Sequence, residues 1–595
     1  MLLAAPPPVP ATAAPAAKEV RVRVRSRGDA RRLQALRLDT GEVAVRGYVT
    51  VVLRGARQAE RLRAAGFKPR APVRPPARGR AAAALPSGRS AYRALDDYEH
   101  DMDALVAAHP GLVRKITLPG TSVLGRPIHG VEIATGVDRT DDGRPTVLDV
   151  GLHHAREWSS GEMVMEFATE LANRATSDAR IARLVNGVRT VLIPVLNPDG
   201  LVASMAAVAG DPYKRKNCAG GMAGACGDGV DLNRDYGAFW GGPGASSTPT
   251  DDTYRGPAPF SEPEARALRD FEATRQLAVV NMTHNFGGQV LYQPGFQHPD
   301  EPGLPAGSAI PYGDRMSALG ASMAAAAGYT AAPAYQLYDA TGAAEDLTYY
   351  AQGAFGYTTE VAGSDFHGPF DADVAGQWPG MRELLLREGE AGLDAADHAT
   401  IAGVAPAGRT LRIAKDVALS TSYVDGGAAQ PFTEHLESTL TVPAGGHYRW
   451  AVDPSTPPLV LLAGGTQAWT LTCEDGAGTV LQTRRVVVAI GRTATEDLGC
   501  GAAVPAGLEI RAVHRSGRRL RVRMRITGGP LTGLRVTLRD ARGHTRAQAG
   551  RRRAGTRVTL TAHRALGPGR YRLRLSATAP DGTRVTATRQ VRVRR

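Results

Sequence analysis

Cysteine is scarce in this chain of 595 residues: four occur, in two close pairs, Cys218 with Cys226 and Cys473 with Cys500. Neither pair has C-x-x-C spacing, so a zinc ribbon and a dithiol redox centre are excluded. In an exported protein each pair reads as a local disulfide that stabilises by about 2–4 kcal/mol; in a reducing compartment they would be four thiols. Long apolar runs are absent as well. With no stretch of eighteen strongly apolar residues, nothing reads as a membrane span. The Ala/Gly-rich stretch 316–332 is too weakly apolar to cross a bilayer and reads as a buried helix. Lysine is missing from residues 511–595, although 24 arginines stand there against two aspartates.

That arginine bias exposes a segregation of charge. The net charge is +14. Residues 1–90 contribute +14 and residues 511–595 contribute +22, so the 420 residues between them carry −22. A basic head and tail flank an acidic middle. The first 17 residues, MLLAAPPPVPATAAPAA, contain A-x-A patterns like the end of a secretory signal, but they lack a basic start and prolines break the apolar run. They read as a signal remnant or a misplaced start, which makes an extracellular location the expectation.

Strand and helix patterns divide the rest. Residues 18–66 alternate a period-two run (20–25), a helical run (31–38), a β-rich run (43–53) and a second helix ending at Gly66, which is one small α/β module. Residues 67–91 are rich in Pro, Ala and Arg and read as an exposed linker. From 92 to 398 helices and β-rich runs alternate, the pattern of an α/β sheet covered on both faces. Within it, SEPE at 261–264 reads as a capping box, with Ser261 as N-cap and Glu264 three residues on. Residues 403–508 and 511–595 carry short strands between Gly, Pro and Asp turns and read as two β-sandwich modules, the second Arg-rich.

A catalytic zinc needs three protein ligands and one open position. GLHHAREWSS supplies His154 and Glu157 three residues apart, directly after a buried strand. Alone this signal is weak, because roughly one H-x-x-E arises by chance in a chain with this many histidines. His153 is an adjacent candidate, but Arg156 rather than an acid stands three residues after it.

The segment gains meaning from its company. GLHHAREWSS is followed in order by NPDG (197–200), YKRKN (213–217), GVDLNRDY (229–236), TYRGPAPFSEPEA (253–265), MTHNFG (282–287), LYDATGAAEDL (337–347) and GYTTEV (356–361). Together they resemble the zinc metallocarboxypeptidases typified by carboxypeptidases A and B, of a secreted bacterial type, over about residues 92–398. The resemblance implies a mixed sheet with helices on both faces, and one zinc per chain. The ligands would be His154, Glu157 and His284, the His₂Glu set established for carboxypeptidase A.

Further roles follow from the same resemblance. Glu360 would be the general base that takes a proton from the attacking water and passes it to the leaving amine. Arg215 would stabilise the developing oxyanion. Asn233 and Arg234 would clamp the substrate's terminal carboxylate, a task suited to arginine's fork. Tyr338 would close over the bound residue, and Arg156 would contact the residue upstream. Glu345 falls at the base of the specificity pocket, where an acid would favour basic C-terminal side chains. Phe286 and Leu347 depart from the digestive enzymes' tyrosine and tryptophan, and the Cys218–Cys226 loop is not their bridge. The module at 18–66 resembles a pro-segment, released between about Arg70 and Arg89, with a permanent accessory domain as the rival.

The implied function is hydrolysis of the C-terminal bond of peptides. Alternatives are a murein-directed member of the superfamily and an inactive, surface-binding relative; intact ligand and acid/base positions oppose the latter. The basic C-terminal module could meet an anionic surface. Its scarcity of aromatics argues against nucleic acid as a partner.

Overall fold

The computed structural model describes residues 17–45, 47–71, 84–206, 211–221, 225–296, 312–422, 424, 427–455, 467–501, 507–527, 531–579 and 583–593. The signal-like start and most of the Pro/Arg linker lie outside them.

The N-terminal module is a three-stranded antiparallel sheet with two helices: β1 (Lys18–Arg23), α1 (Arg27–Gln34), β2 (Asp39–Val45), β3 (Tyr48–Leu53) and α2 (Ala56–Ala64), in strand order β1-β3-β2. The β-rich run 43–53 is thus two strands, turned at Gly47, whose φ of 77° suits glycine. Val20, Val22, Leu33, Val51, Leu62 and Phe67 make a small separate core. Phe67, expected in an exposed linker, is buried, and the Arg32 guanidinium lies 5.8 Å from its ring centroid.

The central body is built on an eight-stranded mixed sheet. Its strands are β4 (Val113–Thr117), β5 (His129–Ile133), β6 (Thr146–Val150), β7 (Arg189–Ile193), β8 (Leu277–Asn285), β9 (Gln289–Tyr292), β10 (Thr330–Pro333) and β11 (Phe355–Val361), in the order β10-β9-β11-β8-β6-β7-β5-β4. The central strands β11, β8, β6 and β7 run parallel and are buried along their whole length, as strands covered on both faces must be. Side chains alternate between faces. Tyr357 donates to Met316 O of α8 (Gly313–Ala327) on one side. On the other, a Cβ at neighbouring Gly356 would meet Glu345 O of α9 (Ala344–Leu347) at 2.6 Å. Helices therefore cover both faces. The Ala/Gly stretch forms α8 only as far as Ala327 and then, past Gly328, turns into β10. No described helix is long and apolar enough to cross a membrane.

The capping box does not form. The helix α7 (Pro263–Glu272, the numbers α3 to α6 being Leu95–Ala108, Trp158–Arg174, Ala179–Gly187 and Pro198–Met205) has Glu262 at its N-cap with no side-chain cap. The Ser261 hydroxyl donates instead to Asp235 Oδ1 at 2.9 Å, and Glu264 accepts from the amide of Val123 at 3.0 Å. NPDG opens α6, with Asn197 Oδ1 accepting from Gly200 N.

After α10 (Trp378–Leu393) come seven strands: β12 (Ala399–Val404), β13 (Thr410–Ser420), β14 (Pro431–Thr441), β15 (His447–Val452), β16 (Trp469–Glu474), β17 (Val480–Val486) and β18 (Thr493–Thr495). They form sheets of three and four strands, and their apolar residues merge with the core of the central body. The seam is also polar. Asp453 Oδ1 accepts from Leu277 N at 2.8 Å, Asp453 N donates to Gln276 Oε1 at 2.8 Å, and Trp469 Nε1 donates to Asp453 O. A further seven strands form a second pair of sheets around a separate core: β19 (Gly507–Ser516), β20 (Arg519–Thr527), β21 (Thr532–Asp540), β22 (Thr545–Arg553), β23 (Arg557–Thr561), β24 (Gly569–Thr578) and β25 (Arg584–Val593). Both cysteine pairs are disulfides, Cys218–Cys226 and Cys473–Cys500.

Candidate metal centre and substrate pocket

β6 ends at a tight crossing. A Cβ on Gly151 would lie 2.7 Å from Pro194 O and 3.0 Å from the Cα of Gly161 in α4, so glycine here lets α4 approach the strand. That approach places His154 and Glu157, both fully buried, at the start of α4. His284 comes from β8.

The two Nδ1 atoms of His154 and His284 stand 3.0 Å apart; Glu157 Oε1 is 2.7 Å from the first and Glu157 Oε2 is 2.9 Å from the second. Two imidazole nitrogens and a carboxylate meeting at one point match the donor set and denticity of zinc. These residues form the single three-residue acid/histidine group of ligating geometry among the described residues. Burial opposes ionisation of Glu157, but the adjoining His154 and His284 outweigh it and hold its carboxyl down at about 2. His153 turns elsewhere, its Nε2 3.2 Å from the Tyr236 hydroxyl and its ring stacked on His284.

A residue not singled out in the sequence orients this group. Asp231 Oδ1 lies 3.1 Å from His154 Nε2, and its other oxygen accepts from Arg215 Nη2 at 2.9 Å and Nε at 3.1 Å. Burial opposes ionisation of Asp231, yet Arg215 and His154 hold it far below the usual carboxylate range. A carboxylate behind the ligand histidine fixes its tautomer and ring plane. The available signal was position: Asp231 stands in the motif GVDLNRDY, three residues before Arg234.

Glu360 is the register partner of His284 across the parallel pair β11–β8, so both project on the same face, one strand spacing apart. Asn233 and Arg234 lie in a short buried turn. Asn233 Oδ1 accepts from Ala344 N at 2.9 Å, tying the turn to α9, and Arg234 donates to Asn233 O and Gly244 O. Glu345, next along α9, is buried. Phe286 packs edge-on against Phe366 and Leu347 is buried.

Arg215, Arg234, Leu337 and Tyr338 line a cavity of about 550 Å³ whose opposite wall is the N-terminal module: Val24, Leu33, Gln34, Arg37 and Leu38. Arg156, expected on substrate, is fully buried and closed by that module. Its Nη1 donates to Asp39 Oδ1 at 2.8 Å and Oδ2 at 2.7 Å, and its guanidinium lies 3.9 Å from the Phe366 centroid. Arg54 reaches Asp211, and Arg37 donates to Thr248 Oγ1 at 2.7 Å.

An α/β sheet that delivers two histidines and a glutamate to one point, with a second glutamate alongside and arginines facing a cavity, offers the donor set of a single zinc ion. The profile of the zinc carboxypeptidase family matches residues 98–372, and this domain is a member of that family. Carboxypeptidase A2 of Rattus norvegicus is 36% identical over 209 residues, 35% of this chain and 48% of the relative. Carboxypeptidase A1 of Sus scrofa is 31% identical over 221 residues, 37% and 50% of the two chains. The chain thus spans about half the length of the curated relatives it matches. In fold it is similar to carboxypeptidase A from Helicoverpa armigera, with a TM-score of 0.54 and 24% identity over 64% of this chain and 98% of that one. It is also similar to thrombin activatable fibrinolysis inhibitor, with a TM-score of 0.51 and 20% identity over 63% and 98%.

Proposed function

We propose that this chain is a secreted zinc carboxypeptidase that hydrolyses the C-terminal peptide bond of peptides and proteins. The observation that carries this reading is the convergence of His154 Nδ1, His284 Nδ1 and the Glu157 carboxylate beside Glu360 and the Arg215/Arg234 cavity wall. Zinc held there supplies Lewis-acid polarisation of the scissile carbonyl and acidifies water toward a pKa of about 7.

The chain's own residues do the rest. Glu360 accepts the proton of the attacking water and delivers it to the departing amine, which leaves with the last residue of the peptide. Arg215, held in place by Asp231, donates to the oxygen that gains negative charge. Asn233 and Arg234 bind the free terminal carboxylate, which makes a chain end the point of recognition. Tyr338, on the cavity wall, closes over the bound residue. The two disulfides support an extracellular location.

The N-terminal module is proposed to be a pro-segment. It supplies one wall of the cavity and the partner of Arg156, so substrate and module compete for the same space. Cleavage between about Arg70 and Arg89 would release it.

The test is zinc content together with release of amino acids from paired peptides. About one zinc per chain and cleavage of the free acid but not of its C-terminal amide are expected. Internal cleavage of the amidated peptide would overturn the reading.

A further inference from the structure

A strongly one-sided charge lies far along the chain, in the β-sandwich formed by residues 507–593. In β20, Arg519, Arg521 and Arg523 are exposed while Leu520, Val522 and Met524 are buried. In β24 of the opposite sheet, Arg570, Arg572 and Arg574 are exposed while Tyr571, Leu573 and Leu575 are buried. Each strand therefore presents three guanidinium groups in a row about 7 Å apart.

Strand register widens both rows. Arg523 stands opposite Arg557, and Arg521 opposite His514 and Thr559. On the other sheet Arg570 stands opposite Arg592, and Arg572 opposite Arg539 and Gln590. Among the neutral neighbours, Thr559 and Gln590 can also donate to an oxyanion. Two acidic residues of this module are described, and both are engaged: Glu509 with Arg511 at 3.1 Å and Asp540 with Arg546 at 2.7 Å. Arg525, the fourth arginine of β20, pairs with Asp497, whereas the six exposed arginines of β20 and β24 have no acidic partner among the described residues. Like charges in close rows repel one another, and a chain of negative charge relieves that repulsion while releasing its own counterions.

The chemistry of the partner can be narrowed. The module's one aromatic, Tyr571, is buried with its hydroxyl donating to Gly567 O, so no ring is offered for a base to stack upon. The exposed large hydrophobics of the described residues are Val202, Val480 and Val487, all outside this module, so nothing here inserts into a bilayer. Because the rows lie on both outer faces of the sandwich, a plane could engage only one of them. Arginine's fork fits phosphate oxygens two at a time. We propose that these two faces bind a flexible linear phosphate polymer that carries no bases, and that the module tethers the enzyme to such a polymer. This stands apart from the peptidase reading and does not depend on it.

The experiment uses the full chain and a labelled inorganic polyphosphate, with affinity measured by anisotropy across a salt series. Binding that weakens steeply with salt is expected. The triple variant R519Q/R521Q/R523Q should bind at least about tenfold more weakly, with the slope of log affinity against log salt shallower by roughly 2, since each phosphate contact on a single strand contributes about 0.7. R570Q/R572Q/R574Q, on the opposite sheet, should do the same independently, so a folding defect in one variant leaves the other to decide. Melting transitions and peptide hydrolysis should match the parent. Absence of binding, undiminished binding in both variants, or tighter binding to single-stranded DNA or phosphatidylglycerol vesicles than to polyphosphate would overturn the proposal.

Discussion

Arg156 and Asp39, 117 residues apart in sequence, form a buried ion pair in which one guanidinium nitrogen meets both carboxylate oxygens. Both side chains are almost wholly removed from water, at 0% and 1% exposure. Losing one partner of such a pair costs about 3–5 kcal/mol, because the other charge stays buried without compensation. The variant D39N should therefore loosen the N-terminal module. The uncleaved variant is expected to hydrolyse a small peptide faster than the uncleaved parent and to be nicked sooner within 67–91. Equal activity of the two intact chains would remove Asp39 from any inhibitory role.

The same interface makes docking depend on pH. Burial, then Asp365, with which Glu19 shares a hydrogen bond, raise the Glu19 carboxyl from 4.5 to about 9, and Arg156 only partly offsets them. A carboxyl with a raised value in the docked state holds its proton there more tightly than when released. Docking is thus unpenalised below about 4.5 and weakens steadily as pH rises from there to about 9. Release of the module after linker cleavage should be faster at pH 8.5 than at pH 5.5, and E19Q should flatten that dependence. Size-exclusion of the nicked chain at the two pH values checks it.

Glu360 and the ligands separate cleanly by their readouts. E360Q should keep its zinc and lose turnover by roughly 10²–10⁴-fold, the range for a positioned acid/base group. H154A should lose both metal and activity. Substantial turnover in zinc-replete E360Q would require another base.

Glu345 bears on substrate choice. It is buried on α9, whose first residue is hydrogen-bonded by Asn233. If its carboxylate meets an incoming cation, peptides ending in Arg or Lys should outpace those ending in Phe or Leu, and E345A should lower the Arg-to-Phe ratio at least about tenfold. A ratio unchanged by the substitution would place Glu345 outside the specificity pocket.

What was readable in the sequence was local or ordered along the chain. His154 and Glu157 sit three residues apart, the periodicities of β8 and α4 are written in contiguous residues, and Arg alternating with an apolar residue gives β20 directly. What was not readable depends on distant partners. Ser261 and Glu264 have the spacing of a capping box, yet Asp235 takes the serine hydroxyl and Val123 and Asn217 take the glutamate. Phe67 sits in a stretch of linker composition but finds a core. The pairing of Asp39 with Arg156 and of Asp231 with His154 are matters of tertiary approach that no periodicity encodes. The merging of strands 399–495 with the central body was equally hidden, because its polar seam joins Gln276 to Asp453.

Apolar packing runs unbroken between residues 85 and 500, whereas residues 510–593 close around a core of their own. The chain is therefore one large cooperative body with a small satellite at each end, not a string of interchangeable beads. A calorimetric scan should resolve one dominant endotherm for the body, and deleting everything after Cys500 should leave that peak in place. A cut after Asp394 should abolish it, since strand β8, which carries His284, is anchored at its first amide by Asp453. Stop codons that fall between those two points would thus silence the enzyme although every residue of its catalytic chemistry had already been translated.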